Sequence, residues 1–217
     1  MRNNAELQRD VLDELLWDPS INATNVQVAA NDGGVTLNGS IGSYTEMHAA
    51  ERDARRVRGV FSVVNHLEVR LPPAYERTDA DLVGAAKDAL RWNTMVPGDR
   101  ISVSSDNGRL TLRGEVPYQY QREAAYNAVR SLVGVKSVDD QITIAPSVSP
   151  GEVKTQIEKA LVRNAETDAS NIRVDAQDGS VTLRGNVHSW AERDEAGWAA
   201  WAAPGVREVH NDLAVTA

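Results

Sequence analysis

One stretch of eight residues occurs three times in this chain: Asp32-Gly33-Gly34-Val35-Thr36-Leu37-Asn38-Gly39, Asn107-Gly108-Arg109-Leu110-Thr111-Leu112-Arg113-Gly114 and Asp178-Gly179-Ser180-Val181-Thr182-Leu183-Arg184-Gly185. An offset of 75 residues carries the first copy onto the second and one of 71 carries the second onto the third, without gaps. The same offsets superpose Gly59, Gly134 and Gly205, each followed by valine, and the apolar sets Leu7/Leu82/Val153, Val11/Ala86/Ile157 and Leu15/Leu90/Leu161. The chain is therefore one unit written three times, and any fold must be one that a unit of roughly 70 residues can adopt.

Each unit reads in the same way. Apolar residues at helical spacing (Leu7, Val11, Leu15 and their counterparts) predict a first helix, ending near Asp18-Pro19, Val96-Pro97-Gly98 and Asn164. The alternating segments Asn25–Ala30, Arg100–Ser104 and Asn171–Asp175 predict a strand. Asp-Gly or Asn-Gly at 32–33, 107–108 and 178–179 supplies the positive φ of a tight hairpin, joining that strand antiparallel to the Thr-centred one. Gly39, Gly114 and Gly185 mark a bend or a close backbone approach.

A second helix is expected over Thr45–Arg58, Tyr120–Val133 and Ala191–Ala203, with Ala50/Ala125/Ala196 and Ala54/Val129/Ala200 facing inward. Gly59, Gly134 and Gly205 are placed to close it in a left-handed cap. A last strand over Val60–Leu71, Val135–Ile144 and Val206–Val215 then returns parallel to the Thr-centred strand, because a helical crossover intervenes. The expected class is α+β: three tandem αββαβ domains, each a three-stranded mixed sheet covered on one face by two helices. The expected boundaries are 1–71, 78–146 and 152–217, with proline-containing linkers at 72–77 and 147–151 acting as semi-rigid spacers.

Composition narrows the function. Without cysteine there is no disulfide, no thiolate nucleophile and no Cys-ligated metal. The net charge of −8 divides as −3, −1 and −4 over residues 1–72, 73–148 and 149–217, from 7 basic against 10 acidic residues, 9 against 10, and 7 against 11. Such a surface repels nucleic acid and anionic membranes at long range, so attraction to either requires a local patch; no nucleic-acid partner is expected. No apolar run approaches the ~20 residues of a transmembrane helix. The polar start implies a cytoplasmic protein if Met1 is the native start and a periplasmic one if the chain is a processed form.

The whole chain resembles the BON domain (bacterial OsmY and nodulation) family. The resemblance is carried by Asp/Asn-Gly-x-Val/Leu-Thr-Leu-x-Gly, a second helix, and the end signatures Gly59-Val60…Asn65-His66-Leu67, Gly134-Val135…Asp140-Gln141-Ile142 and Gly205-Val206…Asn211-Asp212-Leu213. The layout is similar to triple-BON, osmotically-inducible-type proteins. It implies a non-enzymatic module, since family members are described as phospholipid-binding or envelope-stress proteins, often periplasmic. A cation-sensing reading is also implied by the potassium-binding proteins that join a BON domain to a LysM domain, but no LysM-like segment is present here.

Catalytic and metal sites are not expected, and neither is a cofactor. His48, His66, His188 and His210 fall at non-equivalent positions of the repeat and form no HxxxH or HExxH spacing. Asp139-Asp140, Asn65 and Asn211-Asp212 could offer oxygen ligands at the entry to the last strand, or simply be solvated. Arg52, Arg55 and Arg56 share a face of the first unit's second helix, where guanidinium groups could hold a phosphate or pair with neighbouring carboxylates. In the third unit Trp190, Trp198 and Trp201 fall within roughly 80° of one another around the helix, forming a stripe on a face that is polar in the sister units.

That stripe suits packing between domains or copies, an apolar ligand or a membrane interface. Gly197 in the same helix suggests something packed close to it. Trp17 and Trp92 are expected as rim residues sealing the core, and Tyr118 and Tyr120 as a possible extension of an aromatic surface. The leading expectation is reversible association with phospholipid or another anionic or apolar partner. The alternative is a soluble protein–protein adaptor or holdase, including self-association.

Overall fold

The computed structural model describes residues 3–145, 149–163 and 169–216. Asn164, where the third unit's first helix is expected to end, the domain-boundary residue Pro146 and the linker residues Ser147 and Val148 lie outside the described residues. The first repeat runs α1 (Asn4–Trp17), β1 (Val26–Asn31), β2 (Gly34–Ile41), α2 (Tyr44–Arg56), β3 (Ser62–Val69). The second runs α3 (Asp79–Trp92), β4 (Ile101–Asp106), β5 (Arg109–Val116), α4 (Gln119–Arg130), β6 (Ser137–Ile144). The third runs α5 (Pro150–Arg163), β7 (Ile172–Gln177), β8 (Ser180–Val187), α6 (Trp190–Trp201), β9 (Glu208–Val215). Residues 1–89, 103–111 and 127–139 form one compact unit, and residues 90–102, 112–126 and 140–217 another.

Each repeat builds its own three-stranded sheet with the Thr-centred strand in the middle, in the orders β1-β2-β3, β4-β5-β6 and β7-β8-β9. β1 is antiparallel to β2, with Val26 opposite Gly39, and β3 is parallel to β2, with Val35 opposite Val63. The third repeat repeats this register, with Ile172 opposite Gly185 and Val181 opposite Val209. The hairpin turns have the expected backbone: φ is +47° and +84° at Asp32 and Gly33, +52° and +84° at Asn107 and Gly108, and +47° and +81° at Asp178 and Gly179. Positive φ at both central residues is the pattern whose twist matches that of the flanking strands.

Gly39 and Gly185, at φ +113° and +132°, are demanded by a close approach, since a Cβ there would collide with the carbonyl oxygens of Asn25 and Asn171. The core of the first repeat joins Leu7, Val11 and Leu15 of α1 to Ala50 and Ala54 of α2 over Val35, Leu37 and Leu67. The third joins Val153, Ile157 and Leu161 of α5 to Ala196 and Ala200 of α6 over Val181, Leu183 and Leu213. The alanines let the second helix lie close on the sheet, and each fully buried leucine or isoleucine contributes roughly 1.5–3 kcal/mol.

The second helices stop earlier than the sequence suggests. α2 ends at Arg56, α4 at Arg130 and α6 at Trp201, so Gly59, Gly134 and Gly205 stand beyond the helix ends rather than capping them. Their φ is positive as expected, but they serve the turn into the last strand. There the chain reaches back to the hairpin: Phe61 N donates to Gly33 O (2.8 Å), Lys136 N to Gly108 O (2.9 Å) and Arg207 N to Gly179 O (2.7 Å). The final strands begin only after that hydrogen bond.

Candidate functional site

The site is built on α2. Ser43 caps the helix, its hydroxyl oxygen accepting from Glu46 N at 3.2 Å, while the Glu46 carboxylate accepts from Ser43 Oγ (3.1 Å) and Asn22 N (3.2 Å). The helix therefore starts at a fixed place, and its arginines follow at fixed heights. Arg52 donates to Asp18 (3.2 Å) and to Asp53 (3.0 Å), Arg55 to Glu51 (2.6 Å), and Arg56 lies 3.5 Å from Asp53. Asp53 is only 3% exposed, a buried carboxylate with no counterpart in the other repeats, where Ala128 and Ala199 occupy its place. Hydrogen bonds from Ser20 hold the Asp18 carboxyl below the usual range, with the Arg52 charge adding to the effect.

Arg52 and Arg55 face a cleft of about 680 Å³ that also receives His48 and, from α4, Arg130. Glu46 and Glu51 line it as well, but Glu46 is engaged in capping and Glu51 in its pair with Arg55. The His48 ring stands edge-on to Tyr44, with centroids 4.5 Å apart. Burial, and then the nearby charge of Arg130, hold the His48 imidazole below its ordinary pKa. Arg56 points elsewhere and is not among the cleft residues. Arg130, which the sequence alone does not associate with this group, is brought in by the second repeat at the position equivalent to Arg55.

The tryptophan stripe divides. Trp190 and Trp198 are 67% and 68% exposed, and Arg193 lies over the Trp190 ring at 5.5 Å. Trp201 is half-buried and packs on the third core. Gly197 has the close neighbour expected of it: a Cβ there would meet Asn211 Nδ2 at 3.1 Å. Trp17 and Trp92 do not seal the core. They are 84% and 81% exposed at the last turns of α1 and α3, two residues past the buried Leu15 and Leu90 and so about 200° round the helix from the core face. Tyr118 and Tyr120 stack on each other, with centroids 5.4 Å apart.

The polar position shared by the end signatures is structural. Asn65, Asp140 and Asn211 each accept from the backbone N–H two residues on, at Leu67 (3.0 Å), Ile142 (3.0 Å) and Leu213 (3.4 Å). Each also ties the last strand to the second helix, through Glu51, Arg122 and the Arg193 carbonyl respectively. Their oxygens are thus committed within the fold, and among the described residues no group of His, Cys, Asp or Glu is placed to hold a metal ion. No described helix is long and apolar enough to cross a membrane.

The family model described as BON domain matches this chain three times, over residues 3–70, 78–146 and 151–217. The chain is 31% identical to Osmotically-inducible protein Y of Escherichia coli K12, in a match covering 62% of this chain and 71% of that protein. It is 27% identical to Outer membrane lipoprotein DolP of Haemophilus influenzae, covering 50% of this chain and 60% of that one. It is 29% identical to a 21 kDa hemolysin of Actinobacillus pleuropneumoniae, covering 51% and 59%. The matches to these last two span about three fifths of the relatives' own lengths. Among solved structures, the C-terminal domain of CdsD, a structural protein of the type III secretion system of Chlamydia trachomatis, matches over the whole of both chains at 14% identity with a TM-score of 0.29.

Proposed function

Because this chain belongs to the BON domain family and carries the domain three times, we propose that it is a non-enzymatic module of the osmotic or envelope stress response that binds anionic phospholipid headgroups reversibly. The observation that carries the reading is the convergence of Arg52, Arg55 and Arg130 with His48 on one cleft of the first compact unit. Guanidinium groups suit a phosphate because their paired N–H donors match two of its oxygens. Arg52 and Arg55 already hold Asp18 and Glu51, so a headgroup must compete with those carboxylates. The expected affinity is accordingly modest and sensitive to salt. The envelope is the compartment proposed, in line with the relative named as an outer membrane lipoprotein.

His48 reports occupancy of the cleft. A phosphate dianion there offsets the charge of Arg130 and favours the imidazolium, so sn-glycerol 3-phosphate should raise the His48 pKa toward or above the ordinary value. The measurement is an NMR titration of the four histidines with and without the phosphate. An upward shift confined to His48 supports the reading, and an unchanged His48 at saturating phosphate overturns it.

The outward Trp190 and Trp198 favour a second reading, an aromatic surface of the third repeat for a protein partner or a lipid interface. It is distinguished by a Trp190→Ala/Trp198→Ala variant, which on this reading loses the partner while the His48 response is kept.

A further inference from the structure

Each repeat has two built ends. At the head, the hairpin turn and the turn after the second helix are joined by the hydrogen bonds at Gly33, Gly108 and Gly179 described above. At the tail, the residue after the last strand donates to the end of the middle strand: Arg70 N to Ile41 O (2.8 Å), Ala145 N to Val116 O (2.9 Å) and Thr216 N to Val187 O (2.9 Å). Within the second compact unit a head is docked on a tail. Gly205 N, at the head of the third repeat, donates to Pro117 O at the tail of the second (3.0 Å), and Arg207 Nε donates to Ile144 O (3.1 Å). Gly205 and Val206 are buried, as Gly134 and Val135 are in the second repeat beside Arg77 and Leu82, and Ile144 is buried where its counterparts Val69 and Val215 are half-exposed.

The head of the first repeat has the same construction and, among the described residues, is open. Gly59 and Val60 are half-exposed, and a cavity of about 520 Å³ lies among Leu7, Gly33, Arg58, Gly59 and Phe61. Phe61, the only phenylalanine of the chain, occupies the position of Arg207 and is 87% exposed. Its ring lies directly over Gly33, where an added Cβ would collide with it. An apolar knob is thus held up at the point where the third repeat reaches across to its neighbour. At the tail of the third repeat the counterparts of Pro117 and Ile144 are His188, exposed, and Val215, half-exposed.

We propose that the head of the first repeat receives the tail of the third repeat of a second copy, with Phe61 seated beside His188 and Val215, in the manner in which the third repeat's own head sits on the second repeat's tail. Such a contact joins unlike surfaces, so it closes as a reciprocal pair or a ring, or propagates head to tail as an open chain, according to the rotation it imposes. The occupant is argued from the chain itself, which already buries one copy of this head against one copy of this tail.

The absence of cysteine makes the test direct. Ser62→Cys and His188→Cys variants of the full chain, which keep Phe61 and are distinguishable by mass, are mixed and treated with a short bismaleimide. The expected result is a 62–188 heterodimer well in excess of either homodimer. A Pro117→Cys/Arg207→Cys variant, treated alone, should close within one chain. Failure of that internal closure removes the premise, and closure there without heterodimer enrichment overturns the proposal. In sedimentation velocity the wild type should assemble with concentration and Phe61→Asp should remain a monomer; a wild type monomeric at every concentration overturns it too. Retained assembly of Phe61→Asp, with loss of vesicle binding instead, would assign Phe61 to lipid and likewise overturn it.

Discussion

Asp79 shows how much a single residue does at a repeat's head. Its carboxylate accepts from Ser105 Oγ (2.6 Å), Asn107 N (2.9 Å) and Gly108 N (3.0 Å), so the first helix of the middle repeat holds the hairpin turn. Those bonds, Ser105 first, lower its pKa. A carboxyl whose folded pKa is depressed stabilises the fold fully above its unfolded pKa and loses that contribution as pH falls through the folded one. Asp79→Ala should therefore melt below the wild type at neutral pH, and the difference should shrink as pH falls below about 4; a gap constant down to pH 2 would contradict the role. Asn4 does the same for Asp32 N (2.9 Å), whereas the third repeat has Pro150 at this position. Gly39→Ala should cost at least ~2 kcal/mol in denaturant unfolding, since the new methyl meets the Asn25 carbonyl at positive φ.

At the scale of the element, the second helix shows one frame carrying different surfaces. Its inward positions stay apolar in every repeat, while the position of Arg55 becomes Arg130 and then Trp201. The buried Asp53 belongs to the first repeat alone, and it holds Arg52 and Arg56 down on the helix. Alanine already serves at this position in the other two repeats, so Asp53→Ala should change stability by about 1 kcal/mol or less while tightening binding to anionic vesicles. Weaker binding by that variant would mean the arginines need their carboxylate to be positioned. For α6, Trp190→Ala and Trp198→Ala should each cost less than about 0.5 kcal/mol, and Trp201→Ala about 2 kcal/mol, by chemical denaturation.

The sequence made the core face of these helices legible because three copies agree on it, and the Asp-Gly and Asn-Gly turns because their backbone chemistry is local. What a single copy does alone was harder to read. Nothing in the spacing of Trp201 distinguishes it from Trp198, yet Trp201 packs on the third core and Trp198 stays exposed. Trp17 and Trp92 follow an apolar helical series, yet two residues past the buried Leu15 and Leu90 they stand on the opposite side of the helix. Arg130 joins Arg52 and Arg55 through packing between repeats, which no local pattern encodes.

At the scale of the whole molecule, a chain of net charge −8 must meet an anionic surface through one local basic site against its own field. This makes salt a two-sided variable: screening relieves the long-range repulsion over about 8 Å at physiological ionic strength, and it also weakens the contact at the cleft. The measurement that decides the account is equilibrium binding of the full chain to phosphatidylglycerol and phosphatidylcholine vesicles, beside an Arg52→Gln/Arg55→Gln/Arg130→Gln variant of unchanged circular dichroism. With about 1 kcal/mol per basic residue at an anionic surface, the wild type should prefer the anionic vesicles, and that preference should fall at least tenfold in the variant. Equal binding to both lipids, or a preference the variant retains, would contradict it.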